Sequence, residues 1–368
     1  MLILMQMPVT STTYDDAPRI VIWELTRACA LACRHCRAEA SPYRNPSELT
    51  TTEAFALVDA VTECGKPLFV LTGGDPLMRD DIYKIVEYGT SKGLRVAVSP
   101  SATGRLTQNA LDRLAQAGCR RISLSIDAPD AQAHDTFRGV RGSYKRTIEG
   151  IAMAQRAGIQ VQINTTISRF NHARIEEMGE LMKPLGIALW SVFFLVPVGR
   201  AQQSECLDAR ETEAAFGKLY RVATGAPFAV KTTEAPHYRR FVAQREAQMP
   251  PRERPENAES APLRFGAIGD GRGFVFISHT GDVYPSGFLP YEAGNVRDAR
   301  LIEIYRNDPI MKRLRRPDEF GGKCGLCEFR YMCGGSRARA YGFTGDAFAE
   351  EPSCSYRPAA TTREVLSA

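Results

Sequence analysis

Three cysteines lie within eight residues, Cys29, Cys33 and Cys36, in the spacing C-x3-C-x2-C. Thiolate is a soft donor that suits zinc and iron–sulfur centres. A structural zinc site closes its tetrahedron with four ligands, and an iron–sulfur cube usually takes four thiolates. A triplet with no fourth donor of its kind nearby leaves one iron without a protein ligand, able to bind and activate a small molecule. Taken alone, the stretch is also compatible with structural zinc or with incidental clustering.

A second group, Cys324-x2-Cys327-x5-Cys333-x20-Cys354, supplies four thiolates, a complete set. Its spacing alone fits either a zinc ribbon-like site or an iron–sulfur site. Cys64, Cys119 and Cys206 are scattered and read as small buried hydrophobes. Cysteines grouped at metal-ligand spacings indicate metal binding in a reducing cytosol rather than a disulfide framework.

The elements that position these groups follow from the apolar pattern. Residues 19–25 read as a buried strand rich in β-branched and aromatic residues, so the triplet sits on the loop leaving its C-terminal end. Further strands are expected at 66–71, 94–98, 120–126, 160–166 and 188–196. Helices fall between them at about 54–61 (with Thr50 and Glu53 as capping residues), 80–92, 107–117, 143–157 and 173–184. Six strand–helix units imply an α/β fold with a parallel sheet and right-handed crossovers, and chemistry at the C-terminal strand ends. Residues 228–233 form a possible further strand. Residues 244–262 are rich in Pro, Glu and Arg and read as an exposed linker. Residues 274–285 read as a small β-hairpin with a Gly-Asp turn. Residues 1–17 look like a loose leader and 358–368 like a tail.

Cys29-x3-Cys33-x2-Cys36 after a first strand resembles the radical S-adenosylmethionine (SAM) superfamily. The resemblance implies a [4Fe–4S] cluster on these cysteines, with the methionine end of SAM chelating the open iron. His35 stands where that family commonly has an aromatic residue. Thr72-Gly73-Gly74-Asp75-Pro76 is by itself either a tight turn or a place of close ligand approach; it is similar to the family's Gly-Gly-Glu/Asp-Pro motif, which implies that Gly73, Gly74 and Asp75 line the cofactor's amino group. Ser125 and Asp127 could be ordinary loop caps. By resemblance Ser125 bonds the ribose, Arg138 pairs with the cofactor carboxylate through its planar fork, and Asn164 and Leu195 border the adenosine. The C-terminal group resembles the auxiliary-cluster domain called SPASM, found in peptide maturases and in enzymes that finish heme and heme d1. That implies a partial (β/α)6 barrel over 18–243, a linker at 244–264 and an auxiliary-cluster unit over 265–357.

The fuller SPASM pattern has further cysteines where this chain carries Ser286 and Arg337. A serine hydroxyl is a poor substitute for thiolate and arginine does not ligate iron, so two [4Fe–4S] clusters are expected, not three. Arg337 is then a candidate for bonding a cluster sulfide or an anionic substrate group. Glu234, His237 and Tyr238 read either as a proton or electron relay near the barrel mouth or as a solvated helix start, and His279 stays undecided between the same kinds of role.

The chain of 368 residues is 44% hydrophobic and 24% charged, with formal net charge +5. That composition is ordinary for a globular protein and does not point to nucleic acid; no stretch approaches a membrane span. The resemblance implies reductive cleavage of SAM to a 5′-deoxyadenosyl radical and hydrogen abstraction from a substrate, with a flavodoxin- or ferredoxin-like electron donor. Tetrapyrrole side chains are favoured over a peptide, since only a short segment precedes the barrel and peptide maturases often carry a separate peptide-binding module. A non-catalytic iron–sulfur electron carrier or redox sensor is the other class; the Gly-Gly-Asp-Pro, Ser125 and Arg138 positions argue against it, because a carrier needs no cofactor pocket.

Overall fold

The computed structural model describes residues 14–249 and 268–359. Seven strands run parallel in chain order: β1 (Ile20–Glu24), β2 (Leu68–Thr72), β3 (Arg95–Val98), β4 (Arg121–Ser125), β5 (Gln160–Ile167), β6 (Leu189–Phe194) and β7 (Ala229–Thr233). Between them lie α1 (Thr51–Glu63), α2 (Ile82–Ser91), α3 (Gln108–Gln116), α4 (Ala131–Arg138), α5 (Ser143–Arg156), α6 (Ile175–Met182) and α7 (Ala209–Gly225); α8 (His237–Ala247) follows β7. The strand–helix alternation of the sequence is therefore present, as a partial barrel of the α/β class.

Local chemistry explains the helix starts. Thr50 and Glu53 form a reciprocal capping box at α1, Thr107 caps α3, and Asp208 with Glu211 makes a second capping box at α7. The helices bury apolar stripes against the outer face of the sheet, where Trp23, Phe69, Ile163 and Trp190 are fully enclosed. Trp190 satisfies its one polar atom by donating from Nε1 to Thr165 Oγ1 at 2.8 Å.

The sheet does not end at β1. The expected hairpin forms from β8 (Phe274–Ile277) and β9 (Asp282–Tyr284), turning at Gly281, and β10 (Gly294–Asn295) extends it. β8 pairs in parallel with the free edge of β1, Ile20 opposite Phe274 and Trp23 opposite Ile277. One ten-stranded sheet, in the order β10-β9-β8-β1-β2-β3-β4-β5-β6-β7, thus runs through both regions of the chain. The remainder is short helices: α9 (Leu301–Asn307), α10 (Pro309–Leu314), α11 (Gly322–Leu326) and α12 (Arg337–Thr344).

Two boundaries differ from expectation. The linker expected from 244 begins inside α8, which continues to Ala247, with Tyr238 and Val242 buried along one face; residues 250–267 lie outside the described residues. Of the expected leader, residues 14–17 are docked: Tyr14 is buried, its carbonyl accepts from Tyr305 Oη at 2.5 Å, and Asp15 pairs with Arg315 at 2.9 Å. Residues 1–13 lie outside the described residues, as do 360–368 of the expected tail. Cys64, Cys119 and Cys206 are buried and not disulfide-bonded, as anticipated.

Candidate active site

The cysteine loop leaves β1 and is pinned from three sides. Cys29 N–H donates to the Ser41 carbonyl at 2.8 Å; the amides of Ala32 and Arg34 donate to Arg138 and Phe137 carbonyls; and Arg200 donates to the Cys33 and Ala40 carbonyls. Each sulfur has a donor or hydroxyl beside it. Leu31 N–H lies 3.4 Å from Cys29 Sγ, with Ser101 Oγ at 3.5 Å; Ala40 N–H is 3.4 Å from Cys36 Sγ; Arg138 Nη1 is 3.8 Å from Cys33 Sγ. Burial pushes the Cys29 and Cys33 thiols up, against the opposing pull of Ser101 on one and Arg138 on the other. Buried sulfurs wanting a positive partner suit a metal centre, whose charge deprotonates its thiols.

Beside the triplet opens a polar cleft enclosing about 580 Å³, lined among others by Leu31, Gly73, Gly74, Ser125, Arg138 and Asn164. Five of the residues expected to hold the cofactor therefore meet in one cavity next to the cysteines. The strand pleat explains the floor: Ser123 and Ser125 alternate on β4 and face inward with Thr72 and Asn164, giving a row of hydroxyls and an amide. Ser99, Ser101 and His134 also line it. Sequence reasoning passed over these; the alternation of serines in Arg121–Ser125 was the available signal. His134 Nδ1 accepts from Asp127 N–H at 3.2 Å, which places the neutral ring's proton on Nε2. Burial holds that imidazole down to about 4.

Arg138 is committed along one edge. Its Nε donates to Asp127 Oδ2 at 2.6 Å, while Asp127 Oδ1 accepts from Thr166 N–H at 2.8 Å. Burial alone would raise the Asp127 carboxyl; the guanidinium overcomes it and holds the group below the usual range. Arg138 is thus oriented by Asp127, with its outer edge toward Cys33 and the cleft.

Gly73 and Gly74 are required by what lies behind them. A Cβ on Gly73 would stand 2.5 Å from the Thr26 carbonyl oxygen, and one on Gly74 2.5 Å from that of Ala28 and 2.6 Å from that of Arg27. The amides of Gly74 and Asp75 donate to Thr26 and Ala28 at 2.7 Å, stitching the end of β2 to the entry of the cysteine loop. The Asp75 side chain points away from the cleft: it is fully buried and accepts from Thr103 Oγ1 and the amides of Leu77 and Ser101. Its contribution is to hold the loop.

Other sequence candidates lie elsewhere. His35 is half-buried and stacks on Phe137 at 4.2 Å. Leu195 is buried with its carbonyl taken by Arg339, so it does not border the cleft. Tyr238 packs among Phe216 and Phe241 between α7 and α8. His237 and Arg337 belong to the second cysteine group. Cys324, Cys327, Cys333 and Cys354 line one cavity of about 380 Å³ with His237 and Arg240. Glu351 and Gly335 amides each lie 3.3 Å from a sulfur, of Cys324 and Cys333, and Arg337 Nη2 lies 3.7 Å from Cys324 Sγ. Burial pushes Cys327 up to about 11, and Cys333 and Cys354 up as well.

Glu234 lies between the regions. Ser336 Oγ donates to it at 2.5 Å, and burial with Asp270 nearby pushes its carboxyl up to about 8. His279 stands at the barrel mouth, Nδ1 3.3 Å from Glu24, which also binds Arg27 at 3.0 Å and Arg37 at 2.6 Å. Ser286 accepts from the amides of Phe288 and Leu289.

With this geometry in hand, the relatives are informative. Residues 23–182 match the Radical SAM superfamily. An AdoMet-dependent heme synthase of Oleidesulfovibrio alaskensis is 43% identical over 356 residues, 96% of this chain and 91% of that protein. A pre-heme d1 synthase of Dinoroseobacter shibae is 31% identical, over 93% of this chain and 87% of that protein. Among solved structures, Streptococcus suis SuiB bound to S-adenosylmethionine shares the fold, with TM-score 0.71 at 16% identity over 93% of this chain and 78% of that one. Identity at this level along nearly the whole of both chains, on a cysteine triplet facing an open polar cleft, settles the class: the chain belongs to the radical SAM superfamily and is an enzyme that uses S-adenosylmethionine with a [4Fe–4S] cluster.

Proposed function

We propose that this enzyme removes a hydrogen atom from each reacting propionate side chain of an iron tetrapyrrole and releases its carboxylate as CO2, leaving a vinyl group. The observation that carries the reading is the 43% identity to an AdoMet-dependent heme synthase along nearly the full length of both chains. When bound, the cluster of Cys29, Cys33 and Cys36 together with SAM supplies a 5′-deoxyadenosyl radical. The chain's own residues do the rest. Ser125 and Asn164 hold the nucleoside, Arg138 pairs with the cofactor carboxylate, and Asp127 keeps that guanidinium in place. The barrel mouth suits a carboxylate-bearing substrate. Arg27 engages Glu24 through Nε alone and keeps 44% of its side chain exposed, and Arg37 lies over Phe276 at 4.6 Å. The exposed part of the Arg27 guanidinium is the group that supports binding of a substrate carboxylate there.

Losing one hydrogen atom and CO2 from a propionate also leaves one electron to be removed. Cys324, Cys327, Cys333 and Cys354 hold a second [4Fe–4S] cluster that accepts it. Four sulfurs around one cavity, approached by amide and guanidinium donors, support this assignment. On this reading the chain divides into a barrel that ends with α8 and an auxiliary-cluster unit that carries the four cysteines, the two joined by the pairing of β8 with β1. A flavodoxin- or ferredoxin-like protein of the reducing cytoplasm delivers the electron that starts each turnover.

The test is an anaerobic assay with reduced, reconstituted protein, SAM and a propionate-bearing iron porphyrin. One CO2 per 5′-deoxyadenosine, with the matching mass loss from the porphyrin, is the expected result. 5′-Deoxyadenosine formed without CO2 and without a change in the porphyrin's absorption on binding would exclude a tetrapyrrole substrate and favour the peptide-modifying alternative.

A further inference from the structure

α8 starts directly after β7 and presents two side chains, one helical turn apart, to the four-cysteine cavity. His237 is fully buried, wedged edge-on against Phe216 at 4.8 Å, and lines that cavity with Cys324, Cys327, Cys333 and Cys354. Neither of its ring nitrogens has a hydrogen-bond partner. Arg240 grips Glu213 through both terminal nitrogens at 2.6 and 2.7 Å, yet its buried Nε, in the same cavity, is likewise unpartnered. Buried polar atoms without partners are rare, and each is costly to leave unsatisfied. An imidazole carries at least one N–H in either protonation state. The buried Glu351 carboxylate acts on the ring through space without bonding it, so among the described residues the partner left for the N–H is what the cysteines of the shared cavity hold.

We infer that His237 donates a hydrogen bond to the auxiliary cluster and is a positioning residue that sets that cluster's reduction potential. The inference rests on reading the four cysteines as an iron–sulfur site. Reduction adds negative charge to the cube, so an N–H aimed at its sulfurs stabilises the reduced form more than the oxidised one and raises the potential. The Phe216 edge fixes the ring, and the Arg240 Nε adds a second donor from the same face of α8. The helix that ends the barrel is thereby also the helix that tunes the electron acceptor.

The test uses the full-length chain with the substitutions C29A, C33A and C36A, so that only the auxiliary site contributes, reconstituted anaerobically. Iron analysis is expected to find about four irons per chain. Redox titration followed by electron paramagnetic resonance then compares His237, His237→Leu and His237→Gln. The apolar variant should shift the oxidised-to-reduced ratio at fixed potential about tenfold toward oxidised, about 59 mV for a one-electron couple. His237→Gln, which keeps an N–H, should recover most of that shift. With 15N-labelled histidine, the reduced cluster with His237 present should show a weak nitrogen coupling that both variants lack; this readout decides the matter even where the leucine variant fails to retain its cluster. Four irons with equal potentials in all three proteins, or no histidine coupling, would overturn the inference alone. Zinc in place of iron would overturn the cluster reading and the inference together.

Discussion

The two cysteine groups use the same donor atom and differ in what surrounds it. The triplet sits where β1 ends and faces an open cleft of about 580 Å³ whose walls are serine hydroxyls, Asn164 and Arg138. The quartet lines a cavity of about 380 Å³ whose wall is mostly apolar, with its sulfurs met by amides and by Arg337, and a histidine without a partner at its edge. Three ligands beside a roomy polar cleft make a place where a small molecule can reach metal. Four ligands with no position left open make a place that, on the reading proposed above, only electrons need to reach. Ligand count and the chemistry of the wall, rather than the cysteines themselves, separate a reaction centre from a relay.

The comparison breaks most sharply at the triplet. Cys33→Ala should abolish 5′-deoxyadenosine formation and lower the iron content from about eight to about four per chain. Loss of all eight irons, or turnover that survives, would show that the two sites are not independent. Gly74→Val comes next. Its side chain would run into the Ala28 and Arg27 carbonyls, so the loop that carries Cys29 must move. A loss of about 1–3 kcal/mol of stability is expected, read as a lower melting temperature together with weaker SAM binding by calorimetry. An unchanged melting temperature with weakened SAM binding would mean that the glycine serves the ligand alone.

The smallest effect concerns Glu234, at the seam between the two regions. Its carboxyl is raised to about 8 in the folded protein, by burial first and by Asp270 second, against about 4.5 for an unperturbed glutamate. The folded state then binds the extra proton between those values, so this group makes stability fall as pH rises from about 4.5 to about 8. Glu234→Gln removes the titration while leaving an acceptor for Ser336. The variant's melting temperature relative to the parent should rise steadily from pH 5 to pH 8 and level off above. A constant difference across that range would place the proton elsewhere in the Asp270 and Glu351 network.

Much of the triplet site was legible because its parts are local. A strand, a spaced cysteine loop and a Gly-Gly-Asp-Pro turn each carry their own pattern, Ser125 closes the expected fourth strand, and Arg138 and Asn164 were placed by the family resemblance. Asp75 and Leu195 were legible as positions but not as directions. Asp75 turns back to cap the turn at Leu77, and the Leu195 carbonyl is claimed by Arg339, a residue 144 positions away. α4 and α7 went unread because Ala131–Arg138 is short and mostly polar, and Ala209–Gly225 mixes its apolar stripe with five charged residues. His237 was placed at the barrel mouth because it follows β7. Its actual neighbours arrive from residues 324–354, a long-range closure that no local pattern announces.

The parallel pairing of β8 with β1 also has a consequence in time. β1 is among the first strands made, yet the partner for its second edge is synthesised roughly 250 residues later. At about 5–20 residues per second on the ribosome, that edge waits on the order of 10–50 seconds with its amides and carbonyls unpaired. An open edge of alternating Val21 and Trp23 is a template for pairing with another nascent chain. That edge is therefore a place of mispairing during translation, and slower translation of the segment before Phe274 should raise the aggregated fraction without altering the stability of the molecules that finish folding.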